Sequence, residues 1–211
     1  MAVVTRTVSL RDGTRVRLRP IRPDDKHLLL RGFERLSEDS RYRRFFTPMS
    51  ELSPAQLEYL TEVDHHDHEA VVAVDDKGEL VGVARYVRSA SEPDAAEAAV
   101  AVVDDWQGRG VGRALLNRLA NRGRQEGIKR FTALVQADNQ AALELIGEVP
   151  LTERSRDGSE LHLVMKLPRR GLGAQLARAL RAAAAGSLKA AGARLSGPGA
   201  TCAGQDGDRA D

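Results

Sequence analysis

Cysteine, aromatic residues and long apolar runs are all scarce in this sequence of 211 residues. Its single cysteine, Cys202, has no partner with which to form a disulfide within the chain, which is typical of proteins that work in a reducing compartment. No stretch reaches the ~20 apolar residues that a transmembrane helix needs, and the N-terminus lacks an apolar run of signal-peptide length. We therefore expect a cytoplasmic protein without a membrane span.

Neither sign of charge dominates the chain, which has 32 Lys and Arg residues against 30 Asp and Glu residues. Residues 168–211 contain seven of the basic residues and three of the acidic ones, so residues 1–167 are slightly acidic. An acidic body does not favour nucleic acid as a partner. The basic tail, residues 168–211, is rich in alanine and glycine; we predict that it is partly helical and then disordered, and that any contact it makes is with acidic surfaces.

Apolar periodicity predicts one α/β domain over residues 1–167. Alternating residues around turn dipeptides such as Asp12-Gly13 indicate antiparallel strands in the first half of the chain. A strand over 96–103, a helix over 111–125 and a strand over 131–135 then form a β-α-β unit. The predicted fold class is therefore α/β in the α+β sense, with a mixed, mostly antiparallel central sheet flanked by helices.

A glycine-rich turn, Gln107-Gly-Arg-Gly-Val-Gly112, joins the predicted strand to the predicted helix. Glycines allow a ligand to approach the backbone closely, and the N–H groups at a helix N-terminus favour phosphate. A P-loop would need Gly-Lys-Ser/Thr here, and a dinucleotide fingerprint would need glycine where Arg113 stands. The pyrophosphate loop of acyl-CoA N-acyltransferases, Gln/Arg-x-x-Gly-x-Gly/Ala, is the interpretation that fits; a purely structural turn is the alternative.

This turn, its flanking strand and helix and the later Asn139 resemble the GNAT acetyltransferase superfamily, over roughly residues 15–167. The resemblance implies acetyl-CoA as co-substrate, no metal, and a sheet that is splayed at the acyl-CoA site. The resemblance implies that the loop holds the pyrophosphate and that the preceding strand pairs with pantetheine. Asn139 is implied to contact pantetheine as well; a plain helix cap is the alternative for this residue. The donor-binding residues so implied are Val100, Val102, Gln107, Gly108, Arg109, Gly110, Val111, Gly112, Arg113 and Asn139.

Glu97 is the candidate general base. An amine must lose a proton before it attacks a thioester, because lysine has a reference pKa of ~10.4, and a positioned carboxylate contributes about 10²–10⁴ in rate. Glu97 stands in the apolar run 95–103, where a carboxylate is out of place on hydrophobic grounds. Alternation puts it on one face of the strand with Ala99 and Ala101, whose small side chains would leave a channel open. A glutamate that simply faces solvent is the alternative.

The sequence also resembles a narrower group, the Pat-type bacterial protein lysine acetyltransferases, through Arg19-Pro-Ile-Arg-Pro-Asp24, Ser40-Arg-Tyr-Arg-Arg-Phe-Phe46 and Ala96-Glu97 among other segments. The resemblance implies a protein lysine as acceptor and gives Glu97 the role of general base. It places Arg41, Phe45 and Phe46 in a wall of the acceptor site, for which an ordinary amphipathic helix is the alternative.

Two positions depart from the pattern of these families. Ile146 stands where many GNAT enzymes outside the Pat group carry a tyrosine acid, so no general acid is named and solvent is left to protonate the CoA thiolate. Pro150 stands where a glycine usually ends the last helix, which puts the acceptor side of the site in doubt.

The segment Asp64-His-His-Asp-His68 is suggestive of a metal site. Three histidines within four residues seldom point at one ion, and no distant Cys/His set completes the cluster. We therefore expect no metal and assign His68, at the entrance of a strand, to the acceptor cleft, with a solvated loop as the alternative.

Together these patterns predict an N-acetyltransferase that moves an acetyl group from acetyl-CoA to a primary amine, with a protein lysine as the preferred acceptor. Two alternatives stay open. One is a small-molecule enzyme that acts on a polyamine, an amino acid or an aminoglycoside. The other is a non-catalytic acyl-CoA-binding sensor, which the missing tyrosine makes conceivable.

Overall fold

The structure is a computed structural model that describes residues 5–147 and 151–167. The described residues do not include the predicted tail, residues 168–211. They also do not include Pro150, which stands where a glycine is usual in the family. The domain boundary that the sequence places at residue 167 therefore stays a prediction.

Within the described residues, one sheet contains eight strands. They are β1 (Arg6–Ser9), β2 (Arg15–Pro20), β3 (His68–Val74), β4 (Leu80–Arg88), β5 (Ala95–Val102), β6 (Arg130–Gln136), β7 (Leu151–Asp157) and β8 (Glu160–Lys166). Their order across the sheet is β1-β2-β3-β4-β5-β6-β8-β7. Only β5 and β6 pair in parallel; the other neighbouring pairs are antiparallel. The predicted mixed, mostly antiparallel sheet is confirmed.

Helices connect these strands and cover both faces of the sheet. They are α1 (Lys26–Glu34), α2 (Glu38–Phe45), α3 (Pro54–Thr61), α4 (Val111–Gln125) and α5 (Gln140–Ile146). The start of α3 shows how local sequence sets these bounds, because Ser53 and Gln56 form a reciprocal capping box with Pro54 at the first helical position. None of the helices in the described part of the chain is long and apolar enough to cross a membrane.

Helices α1 and α4 lie on opposite faces of the central strands. A Cβ atom added at Gly82 on β4 would lie 3.0 Å from Leu115 of α4, so α4 packs on that face. Val83, the next residue, points to the other face and lines a small cavity with Leu29 and Phe33 of α1. Burial on both faces explains why β3 and β4 read as nearly continuous apolar runs.

Candidate functional site

The sheet opens between β5 and β6. The parallel ladder joins only Ala95, Ala96 and Glu97 to β6, although β5 continues to Val102 and β6 to Gln136. Beyond Glu97 the two strands diverge and leave one edge of β5 without a partner strand from the described residues. The splay that the family resemblance implies is confirmed.

Backbone groups of β5 point into this gap. The N–H of Val103 donates to the carbonyl of Val81, at 3.1 Å, and so faces β4. Because successive residues of a strand direct their polar backbone groups to alternate sides, those of Val100 and Val102 face the gap. The carbonyl of Val102 already accepts a hydrogen bond from Gln107 Nε2, at 3.1 Å.

The glycine-rich turn between β5 and α4 depends on the conformational freedom of its glycines. Gly108 has φ 73° and Gly110 has φ 97°, left-handed values that disfavour other residues. Gly110 is the N-cap of α4 and has no side chain to cap it, so the first N–H groups of the helix lack an intrahelical partner. Gly112 serves close packing instead, because a Cβ atom there would lie 3.2 Å from Leu145 of α5.

A cavity of about 290 Å³ lies against this turn, and we call it the loop cavity. Its lining contains nine of the ten residues predicted to bind the donor, namely Val100, Val102, Gln107, Gly108, Gly110, Val111, Gly112, Arg113 and Asn139. The tenth, Arg109, does not line it. The guanidinium of Arg109 lies 4.9 Å from the centre of the Trp106 ring and 3.7 Å from Asp12.

Basic side chains that the sequence analysis did not assign to the donor also line the loop cavity. Arg43 and Arg44 reach it from α2, and Arg11 reaches it from the β1–β2 turn. The N–H of Arg11 donates to the carbonyl of Arg109, at 3.3 Å, which docks that hairpin on the glycine turn. Burial and the nearby Arg11 lower the pKa of Arg113. Such a concentration of guanidinium groups suits phosphate oxygens.

A second cavity, of about 280 Å³, occupies the gap between β5 and β6, and we call it the gap cavity. The two cavities share their lining at Arg43, Arg44, Val100, Asn139, Ala142 and Leu145. Glu97 lines the gap cavity and is exposed, and its carboxylate forms no hydrogen bond with another described residue. The candidate base thus lies where the strands separate, beside a continuous path from the glycine turn.

The end of α2 forms a wall of the gap cavity. Phe45 and Phe46 both line it, and Phe46 ends the helix in a left-handed conformation with φ 54°. The guanidinium of Arg44 lies 4.9 Å from the ring centre of Phe45. Burial lowers the pKa of Arg44, and the nearby Glu97 carboxylate opposes that change.

Arg41 lies apart from both cavities. Its guanidinium donates to the carbonyls of Ser50 and Glu34, each at 3.2 Å. It also lies 4.5 Å from the centre of the Phe33 ring. These contacts tie α2 to α1 and to the following loop, whereas a role in acceptor binding stays a prediction.

His68 shares a face of the sheet with Glu97. His68, Val87 and Glu97 lie directly opposite one another on β3, β4 and β5, so the histidine and the glutamate are about 10 Å apart, two strand spacings. Arg85 Nη1 lies 3.0 Å from His68 Nε2, and Arg85 Nη2 donates to the carbonyl of Leu60 at 2.9 Å. Burial and the Arg85 charge lower the pKa of His68 to about 4, so the ring is neutral near pH 7.

The other two histidines of the 64–68 segment point elsewhere. His65 Nδ1 lies 2.8 Å from the buried carboxylate of Glu69, and His66 Nδ1 lies 2.6 Å from Glu126. Across residues 5–147 and 151–167, no three His, Cys, Asp or Glu side chains are placed to hold a metal ion. The segment is therefore a folded turn whose histidines bond to separate elements.

Asn139 and Ile146 mark the two ends of α5. Asn139 Oδ1 accepts the N–H of Ala142 at 3.1 Å, so the residue is a helix cap. It also lines both cavities, and a role at the donor is compatible with the cap. Ile146 lines the gap cavity and is 7 % exposed, so an apolar side chain occupies the place of the tyrosine.

Residues 31–148 match the model of the acetyltransferase (GNAT) family. "Acetyltransferase Pat" of Mycolicibacterium smegmatis is 37 % identical over 140 residues, which are 66 % of this chain and 42 % of that protein. "Acetyltransferase PA5475" of Pseudomonas aeruginosa is 36 % identical over 140 residues, which are 65 % of this chain and 75 % of that protein. This chain therefore spans less than half of the Pat relative and most of the Pseudomonas one.

Solved structures show the same similarity. The GNAT domain of S. lividans PAT superposes with a TM-score of 0.73 at 34 % identity, covering 77 % of this chain and 97 % of that one. The cAMP-binding acyltransferase from Mycobacterium smegmatis has a TM-score of 0.57 at 30 % identity, covering 79 % of this chain and 48 % of that one. The yncA protein of Salmonella typhimurium, solved with its cofactor acetyl-CoA, has a TM-score of 0.60 at 18 % identity, covers 74 % of this chain and 95 % of that one, and supports the fold alone.

Proposed function

The chain belongs to the GNAT family of acetyltransferases, and on that premise we propose that it transfers an acetyl group from acetyl-CoA to the side-chain amine of a protein lysine. One observation carries the proposal: Glu97 is an exposed glutamate at the point where two strands separate, and it lines the gap cavity, which shares part of its lining with the loop cavity. The lysine acceptor is supported by the resemblance to the Pat group and by the relatives of that name.

Acetyl-CoA fits the loop cavity by the chemistry of its lining. The N–H groups at the start of α4, which have no intrahelical partner, and the side chains of Arg11 and Arg113 suit the pyrophosphate. The backbone groups of Val100 and the N–H of Val102, which face the gap, suit the amides of pantetheine, which would pair with β5 as a further strand does. Asn139, at the junction of the two cavities, lies along that path.

Lysine reaches Glu97 from the gap cavity side. The carboxylate of Glu97 accepts a proton from the ammonium, directly or through water, and the neutral nitrogen attacks the thioester carbon. As the C–N bond forms, the C–S bond breaks, the nitrogen releases its second proton to solvent, and CoA leaves as a thiolate. Solvent protonates the thiolate, since Ile146 cannot. Phe45 and Phe46 would contact the aliphatic part of the lysine side chain.

Replacing Glu97 with glutamine tests the proposal. We expect turnover of acetyl-CoA with lysine peptides, followed as release of free CoA thiol, to fall by about 10²–10⁴ in the Glu97→Gln variant. Binding of acetyl-CoA, measured by calorimetry, should be unchanged because the loop cavity is intact. Glu153→Gln is the matched control, since Glu153 is exposed on β7 and lines neither cavity.

Other outcomes would support the alternatives. Turnover confined to polyamines, amino acids or aminoglycosides would indicate a small-molecule enzyme. Binding of acetyl-CoA without turnover on any acceptor would indicate a sensor. Equal activity in Glu97→Gln and wild type would remove Glu97 from the mechanism.

A further inference from the structure

The gap cavity extends inward beyond the level of Glu97. One side of its lining is formed by Phe131 of β6, which is in register with Ala96, one residue before Glu97 on β5. The inner lining is apolar and consists of Leu116, Ala120, Phe131, Ala133, Met165 and Leu167. The part of the cavity between the sheet and α4 therefore has an apolar lining.

Polar side chains gather at the opposite end. Arg43, Arg44 and Asn139 belong to the lining that the gap cavity shares with the loop cavity. Glu97 points to the face of β5 away from α4, because Ala98 and Ala96 alternate with it. A ligand that enters from the loop cavity thus passes polar groups first and meets only apolar side chains at the inner end.

The dimensions exceed the needs of an acetyl group. Val100 and Ala96 are four residue steps apart on β5, which corresponds to about 13 Å of strand. A pantetheine arm that pairs with Val102 and Val100 places its thioester no deeper than Ala98. The level of the thioester and the level of Phe131 are then about 7 Å apart along β5. Because β5 pairs with β6 at Ala96 and Glu97, an alkyl chain would cover this distance on the α4 face, along the apolar lining, whereas an acetyl group adds a single methyl group beyond the carbonyl.

From this geometry we propose that the enzyme also accepts acyl-CoA donors with straight chains of about four to six carbons, whose alkyl ends lie in the inner part of the gap cavity. The proposal rests on the proposed function, because the same amine, the same base and the same leaving thiolate take part. The nitrogen bonds to the acyl carbon and CoA departs as before; only the alkyl group differs. Apolar cavities of this kind bind apolar groups and exclude water.

A series of donors with one lysine peptide tests the proposal. We expect kcat/KM for butyryl-CoA and hexanoyl-CoA to equal or exceed that for acetyl-CoA, with a gain of up to about fourfold for each methylene group that is buried. Lauroyl-CoA should be a poor donor, because its chain is longer than the cavity. A wild-type enzyme at least a hundredfold slower with butyryl-CoA and hexanoyl-CoA than with acetyl-CoA would overturn the proposal.

Substitutions that fill the inner end of the gap cavity distinguish a specific loss of long-chain donors from a general loss of activity. Ala120→Leu should lower kcat/KM for hexanoyl-CoA by about tenfold or more while leaving acetyl-CoA turnover near wild type. Ala133→Leu fills the cavity from the sheet side and should act in the same way if Ala120→Leu fails to fold. Ala114→Leu on the same helix is the control, since Ala114 lines neither cavity.

The outcomes distinguish the two proposals. Turnover of acetyl-CoA alone would contradict the longer donors and leave the acetyltransferase intact. A lack of turnover with every acyl-CoA would contradict the proposed function itself. Equal loss with acetyl-CoA and hexanoyl-CoA in both filling variants, with an active Ala114→Leu control, would place the alkyl chain elsewhere.

Discussion

Glu69 and Glu97 lie on opposite faces of the same sheet and differ in almost every physical respect. Glu69 on β3 is 1 % exposed, and its carboxylate lies 2.9 Å from Arg122 Nε and 2.8 Å from His65 Nδ1. Glu97 on β5 is exposed, and its carboxylate hydrogen-bonds to no other described residue. A buried carboxylate is tolerated where the fold supplies its partners, so Glu69 belongs to the structure and Glu97 is free to act on a ligand.

The buried arginines on the two faces of the sheet also differ in their hydrogen-bond partners. The hydrogen bond to Glu69 raises the pKa of Arg122 although burial opposes it. Arg85 is 5 % exposed and donates to the neutral groups of His68 and Leu60 rather than to a carboxylate of the described residues. Burial, together with Arg44, lowers the pKa of Arg85 to about 9. Arg122 on the α4 face is therefore paired with a buried carboxylate, whereas Arg85 on the face that carries Glu97 bonds only to neutral groups of the described residues.

The largest expected effect comes from exchanging each glutamate for glutamine. Glu69→Gln leaves the guanidinium of Arg122 without its buried partner and should lower the free energy of unfolding by about 3 kcal/mol or more. Glu97→Gln should change it by no more than about 0.5 kcal/mol, as is usual for exposed positions. Urea unfolding of both variants at pH 7.5 measures the difference. Similar losses in the two variants would contradict the division of roles between the faces.

A smaller effect is expected from Arg85→Met. The variant loses the hydrogen bond to the Leu60 carbonyl but also removes a buried cation that no carboxylate offsets, so stability should change by less than about 1 kcal/mol. The pKa of His68 should rise from about 4, because the Arg85 charge contributes to its low value. Urea unfolding and an NMR titration of the histidine rings measure the two quantities. A loss of 3 kcal/mol or an unchanged titration would show that Arg85 is compensated in another way.

Local sequence was sufficient for the fold and for most of the predicted donor residues that line the loop cavity. The glycines at 108 and 110 had to adopt left-handed backbone, the capping box at Ser53 started α3, and alternation placed Glu97 against its apolar neighbours. Each of these features depends on residues close together in the chain. The separation of β5 and β6 was also predictable from a short segment, because the family resemblance that implies it is based mainly on the glycine-rich turn.

Contacts between distant segments could not be predicted in the same way. Arg11 reaches the loop cavity only because the β1–β2 hairpin docks on the glycine turn. Arg41 and Arg44 look equivalent in the sequence, yet helical geometry directs one to backbone carbonyls and the other into the cavities. The partners of the histidines in the 64–68 segment likewise come from residues up to 60 positions away.

The smallest expected effect is the pH dependence of stability that His68 contributes. Its pKa is about 4 in the folded protein against 6.5 for an unperturbed ring, so between these values the unfolded chain binds a proton that the folded one does not. Stability therefore falls as the pH is lowered from 6.5 to 4, and this contribution is fully present above pH 6.5. Because solvent screens a ring that is only half-buried, we expect His68→Asn to reduce the stability lost between pH 7.5 and pH 5 by about 1 kcal/mol or less.

Urea midpoints at the two pH values measure this loss of stability. His162→Asn, on the exposed side of β8, is the control. Parallel pH dependence in wild type and His68→Asn would mean that His68 has nearly the same pKa in the folded and the unfolded protein, and that burial and Arg85 do not lower it.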